Sequence, residues 1–467
     1  MIPVQLGALA DLLGGRVVGP EGAAAVVVRA EAFLDSRDVV PDGLFVALAG
    51  ERADGHDHAT AAVAAGAAAY LGSREAGPPG VVVDDVVAAL GRLARHVVDS
   101  LPGLVVLAVT GSQGKTGTKD YLSAVLAGAG PTVATAGNFN NELGVPLTVL
   151  RAGPGTAYLV VEMGARGVGH VARLCEIAPP RVAAVLNVGT AHVAEFGSRE
   201  AIARAKGEIV EALDARGTAV LNADDPLVRA MAPRTRGRVL TFGSDPAADV
   251  AVRGVEGDDL GRFRFELGHA GEWHEVRLTQ LGAHQVPNAA AAAAMALGAG
   301  VPLDRAAAAL TAAVATSRWR MERHERADGL LVVNDAYNAN PESVVAALDT
   351  LVRIGAARSG RTVAVLGEMR ELGAEEEAQH RRVGAHAADA GVDLLVTVGP
   401  VAARIAEAAR DRPGWAGRAV VTDTRDEALA WVRENVTAAD AVLVKASRGA
   451  ALEHIAHGLL EEGDAAR

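Results

Sequence analysis

Short apolar runs followed by longer stretches with apolar residues at helical spacing recur along most of this chain. Residues 104–109 lead into helical sequence at 119–126, and the runs 158–161, 182–188 and 218–221 continue the alternation. Strands apolar on both faces belong in a parallel sheet covered by helices. From about Ser317 the pattern repeats, with apolar runs at 330–333, 362–366, 394–398 and 441–444. The first hundred residues differ: β-like runs at 26–28, 44–48 and 81–83 mix with an alanine-rich helix. "DSLPGL" then ends any helix begun near Ala88, because Pro102-Gly103 cannot continue it. The pattern predicts an α/β protein of three domains. A small α+β N-terminal domain spans 1–101, a central P-loop, parallel-sheet, ATPase-like domain 104–316, and a C-terminal Rossmann-like domain 317–467.

Composition narrows the class of function. With 467 residues, half of them hydrophobic, the chain can bury several cores. A net charge of −12 and 3% aromatic residues argue against a nucleic-acid binder, which needs a basic face and stacking platforms. The single cysteine, Cys175, rules out an intrachain disulfide and suits a reducing compartment. The start "MIPVQLGALADLLGG" lacks the basic region of an export signal. No stretch offers about 20 strongly apolar residues, so no membrane span is expected. These features predict a soluble cytoplasmic protein.

The candidate chemistry begins at "AVTGSQGKTGTKD", between the first central strand and its helix. Gly114-Lys115-Thr116 supplies the second half of a phosphate-loop pattern, but Val109 stands where the first glycine is expected. A turn starting at Gly111 serves equally. Backbone N–H groups of residues 111–116 would converge on phosphate oxygens at the helix's positive end. Lys115 would add a mobile cation, and the Thr116 hydroxyl could join a magnesium shell. The next strands end in Glu162 and lead to His192, at the sheet edge where α/β ligands bind. Each alone reads as a helix-start carboxylate and a polar loop residue; together they point to a shared site. In "SREAIARAKGEIVEAL", Ser198 is the expected N-cap, and Lys206 falls on the apolar face of Ile202, Ile209 and Leu213. Either its stem packs while the ammonium reaches water, or it is a desolvated amine that loses its proton readily.

At this point the motifs resemble the Mur ligase family, the ATP-dependent amide-forming enzymes of peptidoglycan precursor synthesis. "VTGSQGKTGTKD" is similar to the family's phosphate loop, and "TAGNFNNELGVPLTVL", "EMGARGVGH", "LNVGTAHVAEFGSREAIARAKGEI" and "LNADD" follow in the family's order. "VNDAYNANPESVVAAL", "VLGEMRELG" and "VLVKASRG" resemble the branch that adds D-alanyl-D-alanine to a UDP-N-acetylmuramoyl-tripeptide. A D-N-P-R motif, which would mark the diaminopimelate- or lysine-adding branch, is not found.

The resemblance implies ATP and one or two Mg2+ ions as cofactors, with Lys115, Lys206 and His192 as catalytic residues. Thr110, Gly111, Ser112, Gln113, Gly114, Lys115, Thr116 and Gly117 would hold the nucleotide; Thr116, Glu162 and His192 would ligate metal. The lysine matching Lys206 is carbamylated in the family. Asn288, in "LGAHQVPN", either contacts the adenine side of ATP or caps the alanine-rich helix. Arg320 resembles the arginine that reaches ATP phosphate, with Arg318 and Arg323 competing for that assignment. In "NDAYNANPES", Asn340 and Pro341 suit an N-cap and first helical position. Capping needs one polar residue, so the excess at the strand's carboxyl end, Asn334, Asp335 and Asn338 with Tyr337, suggests a loop for nucleotide or acceptor, with Asn340 beside it as a further candidate. Ser36, Arg37, Asp54 and His56 look like contacts to the UDP substrate. His56-Asp57-His58 has poor spacing for a metal and reads better as a loop or helix start. Asn138, Asn140 and Asn141 face the muramoyl portion or form a structural turn. The resemblance also implies a monomer whose last domain swings closed. The competing readings are a Mur-type ligase of other specificity and a nucleotide-dependent switch with a protein partner.

Overall fold

The computed structural model describes residues 1–50, 53–189, 196–314 and 316–461. Three sheets organise them. Near the N-terminus, Arg16–Val18, Gly80–Val82, Ala69–Gly72, Leu44–Val46 and Ala32–Phe33 form a five-stranded sheet, parallel except for its first pair. The central sheet has nine strands. Thr132–Ala134, Tyr158–Glu162, Val105–Thr110, Val182–Val185, Thr218–Asn222, Arg238–Gly243 and Val250–Gly257 run parallel in that spatial order. Arg262–His269 and Glu272–Leu281 then extend it antiparallel. The third sheet orders Glu322–Glu325, Leu331–Asn334, Ala441–Lys445, Thr362–Leu366, Leu394–Val398 and Arg418–Thr422, parallel except at the first edge. Among the described residues no helix is long and apolar enough to cross a membrane.

The antiparallel extension departs from the expected all-parallel middle sheet. Its "RFRFELGH" buries Phe263 and Phe265 and turns its arginines outward, so one face stays wet while the other packs on alanine-rich helix Gln285–Gly298. The first helix after the phosphate loop begins at Lys115, earlier than its apolar periodicity suggests, because the loop itself delivers the helix start.

The N-terminal module and the middle sheet share one apolar core. Helix Val86–Asp99 begins at Asp85, whose side chain accepts from Ala88 N, and buries Leu90, Leu93 and Val97. The same cluster contains Val145, Val149 and Leu174 from two middle-sheet helices. Arg95 reinforces the seam by donating to the Glu176 carbonyl at 3.0 Å. The C-terminal sheet has its own cores, with Leu281, at the end of the middle sheet's last strand, reaching into one of them.

Candidate active site

A cleft of about 800 Å³ lies between the middle sheet's C-terminal edge and the third sheet. Its floor is the phosphate loop. Gly114 sits at φ 79°, a left-handed conformation that glycine adopts without cost, and turns the chain into helix Lys115–Ala127. The loop after strand Val182–Val185 braces it. Gln113 N donates to Asn187 Oδ1 (2.9 Å), Asn187 Nδ2 donates back to the Gln113 carbonyl (3.2 Å), and Gly189 N donates to Ser112 Oγ (2.9 Å). Lys115 Nζ donates to the Gly111 carbonyl at 2.7 Å, folding its charge over the loop.

Asn288 presses on this loop from the neighbouring helix. A Cβ on Gly114 would stand 2.3 Å from Asn288 Oδ1, and one on Gly117 2.9 Å from its Nδ2. Gly114 is therefore held to glycine by its left-handed φ as well as this approach, while a Cβ at Gly117 would make the Asn288 amide shift. Asn288 lies inside helix Gln285–Gly298, whose N-cap position is His284, so the capping alternative is set aside. Its amide donates to Gln285 Oε1 at 3.1 Å.

Glu162 ends its strand in register with Val109, just before the loop. Its carboxylate is 2% exposed; one oxygen accepts from Thr116 Oγ1 (2.9 Å) and the other from Asn140 Nδ2 (2.8 Å). A carboxylate beside a hydroxyl is the hard-oxygen donor set that magnesium takes while keeping waters and phosphates as its other ligands, so the residues fit that ion. All three asparagines line the cleft, but Asn140 is engaged with Glu162 and Asn141 Oδ1 accepts from Gly144 N at 2.9 Å, the structural turn that was the alternative for this stretch. His192 lies outside the described residues. Among those described, no three His, Cys, Asp or Glu side chains converge on one point.

Lys206 sits on helix Arg199–Glu211, whose N-cap Ser198 accepts from Ala201 N at 3.2 Å. Only 4% exposed, it lines the cleft. Burial pushes its pKa well below the ordinary lysine value, and the facing Lys115 charge lowers it further. Of the two alternatives for this lysine, the desolvated amine is the one realised. Lys115 is also lowered, first by burial and then by Arg320, with Glu162 opposing.

The far wall comes from the third sheet. Asn340 caps helix Pro341–Ala356 in a reciprocal capping box with Ser343, with Pro341 at the first position, as expected. Asp335 is paired with Lys445 at 2.6 Å and accepts from Met321 N at 3.1 Å. Removing either partner of so buried a pair typically costs about 3–5 kcal/mol, so Asp335 first of all orients its surroundings. Arg320 lays its guanidinium 4.3 Å from the Tyr337 ring centre, inside the cleft. Its neighbours Trp319 and Met321 both hold left-handed φ values, 58° and 51°. Arg318 is exposed and Arg323 pairs with Glu325, and neither lines the cleft, which resolves the three-way choice in favour of Arg320 as the cleft arginine. Two contacts bridge the walls: Gln113 Nε2 donates to Glu342 Oε2 (3.4 Å), and Lys119 Nζ to Ser317 Oγ (3.4 Å).

Sequence reasoning missed Lys445, Ser447 and Arg370, all in this wall. A lysine closing an otherwise apolar strand, in "VLVK", was the available signal.

The four N-terminal candidates do not join the cleft. Arg37 is exposed and paired with Asp35 at 2.6 Å, beside part-buried Ser36. Asp54 caps the short helix Gly55–His58, in line with the helix-start reading of that stretch. His56 is 3% exposed; Nδ1 meets Asp54 Oδ1, and Nε2 accepts from Ser73 N at 2.9 Å. Its ring is therefore occupied in clamping the loop to strand Ala69–Gly72. His56→Ala should lower stability by about 2–4 kcal/mol, read as a denaturant midpoint, with the KM for nucleotide unchanged. An unshifted midpoint would show that the clamp is idle.

Comparison with known proteins gives consistent matches. The family model described as Mur ligase middle domain matches residues 109–296, that for the Mur ligase glutamate ligase domain 319–448, and that for the Mur ligase family catalytic domain 33–97. A UDP-N-acetylmuramoyl-tripeptide–D-alanyl-D-alanine ligase of Mycobacterium tuberculosis is 45% identical, over 99% of this chain and 98% of its own. That of Escherichia coli is 37% identical over 99% and 100%. The crystal structure of MurF from Acinetobacter baumannii superposes with a TM-score of 0.86 at 31% identity, covering 99% of both chains. MurF from Thermotoga maritima in complex with ADP gives 0.79 at 31%, covering 94% of this chain and 99% of that one.

Proposed function

Since this chain belongs to the Mur ligase family, we infer that it is the ATP-dependent ligase joining D-alanyl-D-alanine to UDP-N-acetylmuramoyl-tripeptide, which yields the pentapeptide precursor of peptidoglycan. The reaction has two steps. The tripeptide's terminal carboxylate attacks the γ-phosphorus of ATP and expels ADP, giving an acyl phosphate. The neutral amine of D-alanyl-D-alanine then attacks the acyl carbon, its nitrogen gives up a proton as the amide forms, and phosphate leaves with the electron pair of the broken C–O bond.

The first step brings two anions together, so cationic groups must lie between them. Lys115, at the mouth of the loop 110–117, and Arg320, from the opposite wall, are the groups for that task. Thr116 and Glu162, with His192, would hold magnesium, which neutralises phosphate charge when bound. Asn288 fixes the loop's shape and borders the nucleotide. Lys206, buried and with its pKa lowered by that burial, would add carbon dioxide: the amine lone pair would form the N–C bond and a proton would leave, giving a carbamate. That anion would help orient the cation beside Glu162. Asn138, with Asn140 and Asn141 beside it, would face the muramoyl end, and Asp335, Tyr337, Asn338 and Asn340 would shape the acceptor side.

Residues 1–101 would hold the uridine end through Ser36, Arg37 and Asp54, residues 104–316 the nucleotide, and 317–467 the acceptor. His56 supports that surface from beneath. In this reading the protein works as a cytoplasmic monomer, and closure of the last domain keeps water from the acyl phosphate.

The observation that carries the proposal is the meeting, in one cleft, of the phosphate loop, the Glu162–Thr116 pair and a desolvated Lys206 with the "NDAYNANP" wall. The test is mass detection of UDP-muramoyl pentapeptide made from tripeptide, ATP and D-alanyl-D-alanine. Phosphate release driven instead by a single amino acid would mean a ligase of other specificity. Release that needs no muramoyl substrate would mean a switch.

A further inference from the structure

The C-terminal wall carries a cation that this scheme leaves without a task. Arg370 stands on the loop after strand Thr362–Leu366, facing the loop after the adjacent strand Ala441–Lys445. That loop is pinned from three directions. Met369 N donates to Nε2 of fully buried His380 (2.9 Å), Arg370 N donates to Ser447 Oγ (2.9 Å), and Ser447 N donates to the Glu368 carbonyl (2.9 Å). His380 Nδ1 meets the Glu376 carbonyl at 2.7 Å, which makes Nδ1 the donor and leaves Nε2 as acceptor. Glu371, next in sequence, is held at φ 65°, a conformation a non-glycine residue keeps only where its surroundings impose it. The Arg370 guanidinium lies across Gly449, where a Cβ would stand 2.1 Å from Nη1. Glu368 takes the Nε and Nη2 side at 2.5 Å, and the side chain remains 57% exposed.

The other cations of this wall are committed elsewhere. Lys445 is buried with Asp335, and Arg448 lies between Glu453 (2.7 Å) and the Trp319 ring (4.5 Å). Arg320 stacks on Tyr337. The acceptor dipeptide, for its part, must present a free neutral amine to the acyl carbon. A grip on it therefore falls on its opposite end, a carboxylate, and a planar arginine fork matches that group with two parallel hydrogen bonds.

We propose that Arg370 holds the terminal carboxylate of D-alanyl-D-alanine through its Nη1–Nη2 edge, with Glu368 fixing the fork from the other side. The proposal rests on the ligase reading above and adds to it the group that selects a free acid. The experiment compares kcat/KM for D-alanyl-D-alanine and for its C-terminal amide, at saturating ATP and tripeptide substrate. The unmutated enzyme should prefer the acid. Arg370→Ala should lower kcat/KM for the acid about 100-fold, mainly through KM, and for the amide less than about threefold, with the KM for ATP unmoved. Arg370→Lys, which keeps charge without the fork, should fall between. A variant that keeps the original acid-to-amide ratio, or loses both substrates equally, overturns the assignment. An unmutated enzyme that does not use D-alanyl-D-alanine overturns the ligase reading, and that result is visible before any variant is made.

Discussion

Lys115→Ala is expected to abolish amide formation, by about a thousandfold or more in kcat, while binding of the UDP-linked tripeptide stays nearly intact. The expectation follows from how the loop is built. Its backbone is braced by Asn187, Ser112 and Gly189 through three bonds that do not involve the lysine, so the cradle should persist when the Lys115–Gly111 bond is lost. What disappears is the charge poised over Gly111, where two negative groups must approach. Arg320 cannot substitute, since the Tyr337 ring and the linker conformation fix it on the opposite wall. Phosphate release and a separate binding titration with the UDP substrate check the two halves. Near-normal turnover would refute the cradle assignment.

Lys206→Met should give the opposite signs for stability and activity. In the folded chain the amine is buried and its pKa is depressed, whereas in the unfolded chain it takes the ordinary value of about 10.4. Between those two values the unfolded state binds a proton that the folded state does not, so unfolding is favoured there. Stability therefore climbs as pH rises, and the penalty fades only near the ordinary lysine value. Methionine has similar length and no charge to desolvate. In bicarbonate-free buffer near pH 8 its thermal midpoint should lie a few degrees above that of the parent, with the gap closing toward pH 10. Turnover should fall about a hundredfold or more, and a carbamate signal from ¹³C-bicarbonate present in the parent should be missing. A lower midpoint across the whole pH range, or unimpaired turnover, would contradict this account. Such a site exchanges stability for chemistry.

The strands at 105–110, 158–162, 182–185, 218–222, 331–334, 362–366, 394–398 and 441–445 were legible because each is a continuous apolar run, and most of their ends fall within a residue or two of those expected. The shorter or more polar parallel strands Thr132–Ala134, Arg238–Gly243, Val250–Gly257 and Arg418–Thr422 were not legible. The phosphate loop was legible because its strand, glycines, lysine and hydroxyl are contiguous. Asn340-Pro341 declared its helix start for the same local reason. What stayed hidden depends on partners far away in sequence. The Asp335–Lys445 pair joins residues 110 positions apart, and the lysine that closes the apolar run "VLVK" does not say which carboxylate it meets. The choice of Arg320 over its neighbours turns on which of the three reaches the cleft, which depends on the folded path through Trp319 and Met321. His56 resembled a ligand contact because the polar cluster "GHDH" does not reveal that Ser73 occupies its second nitrogen. The strands Arg262–His269 and Glu272–Leu281 escaped notice because alternating charge on a half-wet sheet lacks the solid apolar signature of the others.

The continuous core beneath helix Val86–Asp99 sets a length scale. Close-packed interiors resist deformation, so the first two modules travel as a single piece. In the proposed reading uridine would sit on one and triphosphate on the other, and the span between those anchors would be a fixed gauge. A stem peptide one residue too short would leave its carboxylate shy of the γ-phosphorus, and one too long would overshoot it. On that reading, the length of the stem peptide would be checked by masonry as well as by any recognising side chain.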